Sequence, residues 1–255
     1  MRCLFLYIKK TIYCIILLAC LATSARAQQP ASPAPTAAEL KKNFATIEAG
    51  TEGESDDFDK LTTTTARRLV TYLKAHEVSA AGAKDLGVEL SAESADASHL
   101  KVFTYSLSSG GTRGTIHKPV LQWQNAAGQH FAYAVDEECE FTEIHPLASP
   151  GRALYLLLGM EKGDGQCDVS QAYVVELKGN YLLADNAVFG KKSSLSLCNV
   201  DMQLDASRQV LRINQTRNKE ISDDALRLKE RDYRRKPGAK SLVLKLSGGR
   251  FVQSQ

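Results

Sequence analysis

The sequence predicts a mainly β protein, an antiparallel meander preceded by two α-helices, and three observations carry that prediction. From Leu100 onward apolar residues alternate with polar ones, and β-branched and aromatic side chains dominate. The strand-like runs are separated by short clusters of Gly, Asn, Asp and Ser, too short for anything but antiparallel neighbours. Before Leu100, two stretches instead repeat their apolar residues at helical spacing. The pattern leaves three ways to finish the meander open: a sandwich, a highly curved sheet, or an incomplete propeller-like array.

The first 27 residues read as a secretory signal peptide. Arg2, Lys9 and Lys10 precede an apolar run from Thr11 to Ala22, and Ala25-Arg26-Ala27 supplies a small-residue cleavage site. A lipid-attachment reading through Cys20 is the minority alternative, because Leu17-Leu18-Ala19-Cys20 fits such a box poorly. The run is shorter than the roughly 20 residues of a membrane span, so the mature chain is expected to carry no transmembrane segment. Four of the 32 basic residues lie in this leader, which leaves 28 against 29 acidic ones, a net charge of −1. That balance argues against a nucleic-acid partner. What charge there is divides unevenly: residues 201–255 hold 13 basic and 7 acidic side chains, residues 28–200 hold 15 and 22.

Residues 28–38 are Pro- and Ala-rich and read as an extended tether, followed by helices and a linker over 39–98 and a β domain over 99–255. Thr36 and Glu39 have the form of a capping box, with Leu40, Phe44 and Ile47 on one face of the helix behind it. Ser55 caps a second helix whose face is Phe58, Leu61, Thr65, Leu69, Tyr72 and Leu73, and Asp56, Asp57 and Asp59 sit at the positive end of its dipole. The Ala-, Ser-, Gly- and acid-rich stretch from residue 77 to 98 reads as a linker.

Eleven strands are expected beyond it: Leu100 to Leu107, Thr115 to Gln124, Gln129 to Val135, Phe141 to Leu147, Arg152 to Lys162, Asp168 to Lys178, Tyr181 to Asp185, Ser194 to Leu204, Val210 to Gln215, Ser241 to Leu246 and Arg250 to Gln253. The loop SSGGTRG between the first two resembles a phosphate cradle. Such a cradle needs a helix behind it, and TIHKPVLQW is poor helix and good edge strand. It therefore reads as a hairpin turn, with Arg113 at its tip available to a carboxylate or phosphate of a partner. Tyr105 and Trp123 are expected near each other across this hairpin, in or near the core.

Of the mature cysteines Cys139, Cys167 and Cys198, two are expected to pair in an oxidising compartment. Cys139 and Cys167 flank the open end of one expected hairpin and are the preferred pair. Cys198 is then free or the alternative partner. No CxxC occurs and the histidines match no ligand spacing, so neither a metal nor a cofactor is expected.

The FTYS strand, the GGT loop, the LQW strand, the ALYLLLG and AYVVEL strands and the terminal GRFV hairpin resemble uncharacterised exported β-rich proteins of Gram-negative bacteria. The likeness spans residues 100–253 and implies export and an all-β body, with no activity to carry over.

No G-x-S-x-G elbow, S-x-x-K with K-T-G, H-E-x-x-H or Walker loop is present. Asp136, Glu137, Glu138 and Glu140 read as a solvated acidic loop, since their spacing is not that of a calcium loop. The run RLKERDYRRK, with Arg231, Arg234, Arg235 and Lys236, is a candidate surface for an anionic envelope component or an acidic partner. The leading expectation is thus an exported, non-catalytic β domain that binds a partner or envelope component. A hydrolase of envelope polymers using a dispersed carboxylate pair near Asp136 to Glu143 is the alternative. A structural subunit of an envelope assembly is the second.

Overall fold

The computed structural model describes residues 34–163, 167–216, 228, 231–234 and 240–254. The expected leader, Cys20, Arg235 and Lys236 lie outside them.

Helix α1 (Ala37–Ala49) begins at the expected capping box: the Glu39 amide donates to Thr36 Oγ1 at 3.3 Å and the Thr36 amide to Glu39 Oε2 at 3.0 Å. Helix α2 (Asp56–Ala75) begins at Ser55, whose Oγ accepts from the Phe58 amide, with the three aspartates in its first turn. A third helix, α3 (Ala80–Leu86), and strand β1 (Glu89–Glu93) occupy the stretch read as a linker. Ser79 caps α3, Gly87 ends it at φ +80°, and Val78, Ala83 and Leu86 bury against α1 and α2. With so few large apolar residues, this segment shows its structure only through its caps.

Among the described residues twelve further strands follow, all paired antiparallel. Sheet A joins β1 to β2 (Lys101–Ser108), β3 (Thr115–Gln124) and β4 (His130–Ala134) in that order. Sheet B joins β5 (Glu140–Leu147), β6 (Ala153–Lys162), β7 (Asp168–Lys178) and β8 (Tyr181–Leu183), with β9 (Ser194–Cys198) also paired to β7. Sheet C joins β10 (Val200–Asp205), β11 (Val210–Gln215), β12 (Ser241–Ser247) and β13 (Arg250–Gln253). The sheets do not close into a barrel.

They stack. Leu40, Phe44, Leu69 and Leu73 of the helices pack on Phe103, Tyr105, Leu107 and Val120 of sheet A. The other face of sheet A, with Val102, Leu121 and Trp123, meets Phe141, Tyr155, Leu157, Tyr173 and Val175 of sheet B. Sheet B's second face, with Leu154, Leu156, Leu158 and Val174, meets Leu211, Ile213, Leu242, Leu244 and Phe251 of sheet C. Four layers therefore enclose three cores. The two middle sheets are buried on both faces, which is why YLLLG and YVVEL run continuously apolar instead of alternating.

Two sequence expectations fail for this reason. Tyr105 and Trp123 are both buried, but on opposite faces of sheet A: Tyr105 lies against Phe44, whereas Trp123 stacks on Phe131 and donates its indole N–H to the Gly179 carbonyl. The single strand expected from Ser194 to Leu204 is two, broken at Asn199, whose φ of +52° turns the chain from sheet B into sheet C.

The same turn decides the disulfide. Strand β9 pairs with β7 so that Cys198 comes within 5.1 Å (Cα–Cα) of Cys167, and these two are bridged. The preferred pairing of Cys139 with Cys167 is thus corrected to the alternative one. Cys139 is fully buried, its amide bonded to the His117 carbonyl and its sulfur set against Gly159.

Candidate functional site

Two concavities flank Asp136. One is a groove between α2 and β4, the edge strand of sheet A; the other is a cleft where the interface between sheets A and B reaches the surface.

The groove encloses about 670 Å³. Its floor is apolar, formed by Ala66, Val70, Tyr105, Leu107 and Ala132. Burial, and then the Glu52 charge, push the Tyr105 phenol up to about 12, so it stays a neutral hydroxyl. Arg67 and Lys74 stand on the helix wall one above the other, exposed and with no ion-pair partner among the described residues. Opposite runs β4. The Val135 amide donates to the Pro119 carbonyl, and Ala134 stands opposite Val120 and Ala132 opposite Gln122. Hydrogen-bonded and non-hydrogen-bonded pairs alternate along an antiparallel ladder, so the amides and carbonyls of Ala132 and Ala134 point away from β3, toward the free edge.

What holds α2 in place beside this edge is polar. Gln122 Nε2, buried in sheet A, donates to the Leu73 and His76 carbonyls at 2.6 and 2.7 Å. Beside it Lys101 Nζ donates to the Val78 carbonyl at 3.1 Å and pairs with Glu77 and Glu93. The Gln122 bonds satisfy carbonyls that the C-terminus of α2 leaves without partners, and Lys101 ties down the Val78 carbonyl in the turn that follows.

The cleft encloses about 560 Å³ and continues the A–B core, in which apolar side chains give way to Glu161, Val169, Gln171 and Ser196. Register puts all four on one face: Glu161 stands opposite Val169, and Gln171 opposite both Gly159 and Ser196. Across the interface His117 of β3 reaches Glu161 Oε2 at 2.8 Å and Glu140 at 3.9 Å. The hydrogen bond that His117 donates to Glu161 raises the His117 value, against a smaller opposing effect of burial. Glu161 keeps only 4% of its side chain exposed, and its Oε1 has no hydrogen-bond partner among the described residues.

The acids read as a solvated loop form the wall of this cleft. Glu138 is held between Arg113 at 2.8 Å and Lys118 at 2.7 Å, and these bonds outweigh its burial and keep its carboxyl below the ordinary value. Glu137 accepts from Gln171, but burial and the neighbouring Asp136 push it above the ordinary value. Burial, reinforced by Glu161, Glu137 and Glu140, raises the Cys139 thiol far above its usual range, which keeps it in the protonated, less nucleophilic form.

Two residues singled out in the sequence thus meet here from distant parts of the chain. The SSGGTRG loop is a hairpin turn, with Gly110 and Gly114 at φ +68° and +75°, and its Arg113 is committed to Glu138 and the Lys162 carbonyl. Arg231 is buried and donates to the Ser194 carbonyl at 2.7 Å, so it is part of the cleft wall and not of an exposed basic run. Arg234 is exposed outside both concavities, its amide bonded to Gln253. Nothing in the sequence marked Arg67, Lys74 or His117 as site residues. For Glu161 a signal existed in the carboxylate that ends an otherwise apolar strand, but its weight depends on His117 lying opposite.

No protein-family model, curated protein or solved structure matches the chain.

Proposed function

We propose that the chain works outside the cytoplasm as a non-catalytic binding domain, and that the groove beside β4 takes an extended, partly acidic peptide segment of a partner protein. Export is supported by the basic, apolar and small-residue order of residues 1–27 and by the Cys167–Cys198 bridge. The observation that carries the binding role is the free edge of β4 beside an apolar groove. An added strand would satisfy the outward amides and carbonyls of Ala132 and Ala134, and alternate side chains would enter the groove. Arg67 and Lys74 are positive positions on the helix wall that favour acidic residues beside them, whereas Glu52, Asp59 and Asp136, which also line the groove, favour basic ones at their own positions.

The test uses a peptide of about eight residues alternating valine and glutamate. It should perturb the backbone amides of β4 and α2. Arg67→Glu with Lys74→Glu should weaken it at least about tenfold. Ala134→Pro, which removes an outward donor and leaves the β3 ladder untouched, should weaken it comparably. Unaltered binding in both variants would refute the proposal.

Polymer hydrolysis is the second reading, favoured by the convergence of Asp136, Glu137, Glu138 and Glu161 on one cleft. Opposite displacements of Glu137 and Glu138 suit an acid and its partner carboxylate. Against it, Glu138 is spent on Arg113 and Lys118, and Glu161 on His117. Turnover of a polysaccharide from the envelope that vanishes in Glu137→Gln would establish this reading in place of the first.

A further inference from the structure

We propose that the cleft at the end of the A–B interface is a second binding site, for a primary alkylammonium group, with Glu161 Oε1 as its innermost acceptor and Glu137 as the carboxylate that closes over it. The carboxylate oxygen is the starting point. A buried carboxylate oxygen without a donor is costly to a fold, and such atoms are uncommon in folded proteins. Glu161 Oε2 has its donor in His117, whereas Oε1 has none among the described residues. The strand register directs the side chain to the same face as Val169, Gln171 and Ser196, which line the cleft with it. Oε1 itself is shut off from solvent, so a donor arriving from the cleft reaches it with a small shift of the side chains around it.

The chemistry of that donor follows from the walls. Arg113 is bound to Glu138, and Arg231 lies within the field of Glu137; Lys162, the third basic residue of the rim, is exposed and follows Glu161 on β6, which puts it opposite Asp168 on the other face of the strand. What is left without a donor is acidic, which calls for a cation. Among the described residues no group of three His, Cys, Asp or Glu side chains is disposed to hold a metal ion, which separates this site from a metal centre. An ammonium group needs less. It carries three N–H donors and is satisfied by acceptors on separate elements, here Glu161 on β6 and Glu137 on the loop before β5. Val169 on the floor suits the alkyl chain behind it.

The shared chemistry fits both a free amine and a lysine side chain, and the experiment separates them. The purified chain is titrated with n-butylammonium, with a linear diamine and with an N-acetylated lysine amide, and backbone amide shifts are followed. Binding in the millimolar range is expected, with shifts at Glu161, Val169 and Gln171. Glu161→Gln should lower affinity at least about tenfold. The rim variant Glu137→Gln, which leaves the His117–Glu161 pair intact, should lower it about threefold and keeps the test open should the buried variant misfold. Tetramethylammonium, charged but without N–H groups, should produce no shift at these residues. Tighter binding of the diamine points to a small-molecule amine and tighter binding of the lysine amide to a partner's side chain, each in support. Equal shifts with tetramethylammonium, no response to any amine, unchanged affinity in a folded Glu137→Gln, or a stronger response to magnesium or calcium than to the amines would overturn the proposal.

Discussion

The two faces of sheet B are built from the same strands yet end differently. Toward sheet C, β6 and β7 present Leu154, Leu156, Leu158, Ala172 and Val174, met by Leu211, Ile213, Leu244 and Phe251. Toward sheet A the same strands begin as Tyr155, Leu157, Tyr173 and Val175 and finish as Gly159, Glu161, Gln171 and Val169. One interface is closed by hydrocarbon. The other exchanges hydrocarbon for hydrogen bonds over its last few positions, and there it opens into a cleft. A polar end of this kind is not required for stability, since well-packed apolar residues of equal volume often serve as well. It is the region of the molecule in which selection for something besides folding is easiest to read.

The largest effect should come from the position where that exchange begins. A methyl group at Gly159 would collide with the Glu140 carbonyl and lie 2.7 Å from the Phe141 Cα and 2.8 Å from the Cys139 sulfur. Backbone cannot retreat cheaply, so Gly159→Ala should cost more than about 4 kcal/mol or prevent folding, measured by denaturant unfolding. Next is the apolar interface itself. Leu156→Ala should cost about 3 to 4 kcal/mol, against about 1 kcal/mol for Val169→Ala at the open end. If the two costs came out equal, the distinction between a closed and an open interface would fall.

The disulfide gives a third, slightly smaller effect. It joins β9 to the start of β7 across a sequence separation of 31. A loop of that size is worth about 3.7 kcal/mol through the unfolded state, so Cys198→Ser should lower stability by up to roughly that amount. Because Cys139 is buried away at Gly159, reduction of the wild-type protein should mimic the variant.

How much of this could be read from the sequence follows from the same contrast. Local signals were sufficient for the caps of α1 and α2, for the hairpin at SSGGTRG and for the run of β5 to β7, because capping residues and turn glycines act over three or four positions. Helix α3 was missed because Ala80, Ala81 and Ala83 make a face with little apolar contrast. The cleft was not legible, because it depends on register between distant strands: His117 faces Glu161 across 44 positions, and Cys198 reaches Cys167 only once Asn199 turns the chain. The acids at 136–138 looked solvated for the same reason. Nothing near them in sequence announces that Arg113, Lys118 and Gln171 arrive from elsewhere.

The smallest expected effect is a pH dependence confined to the open interface. His117 titrates above its ordinary value of 6.5 in the folded chain, chiefly through its hydrogen bond to Glu161. A group whose proton is held more tightly in the folded state stabilises that state fully below its unfolded value and ceases to do so as pH rises through the folded one. The His117–Glu161 contribution is therefore complete below about pH 6.5 and lost on the alkaline side. Glu138 runs the other way: its carboxyl is lowered below 4.5, so its bonds to Arg113 and Lys118 stabilise above that value and fail as acid is added. Between about pH 6 and about pH 9 Glu138 contributes a constant amount, and Glu137, raised above its ordinary value, is common to both chains of the comparison below. Unfolding of the wild type against His117→Gln should show a stability difference of about 1 kcal/mol near pH 6 that shrinks toward pH 9, a size set by a charge-assisted bond that is partly open to solvent. The other histidines are common to both chains and cancel in the comparison. A difference that stayed constant with pH would mean that His117 serves the interface by its shape and not by its charge, and Glu161 would then be without a charged partner on either side of the cleft.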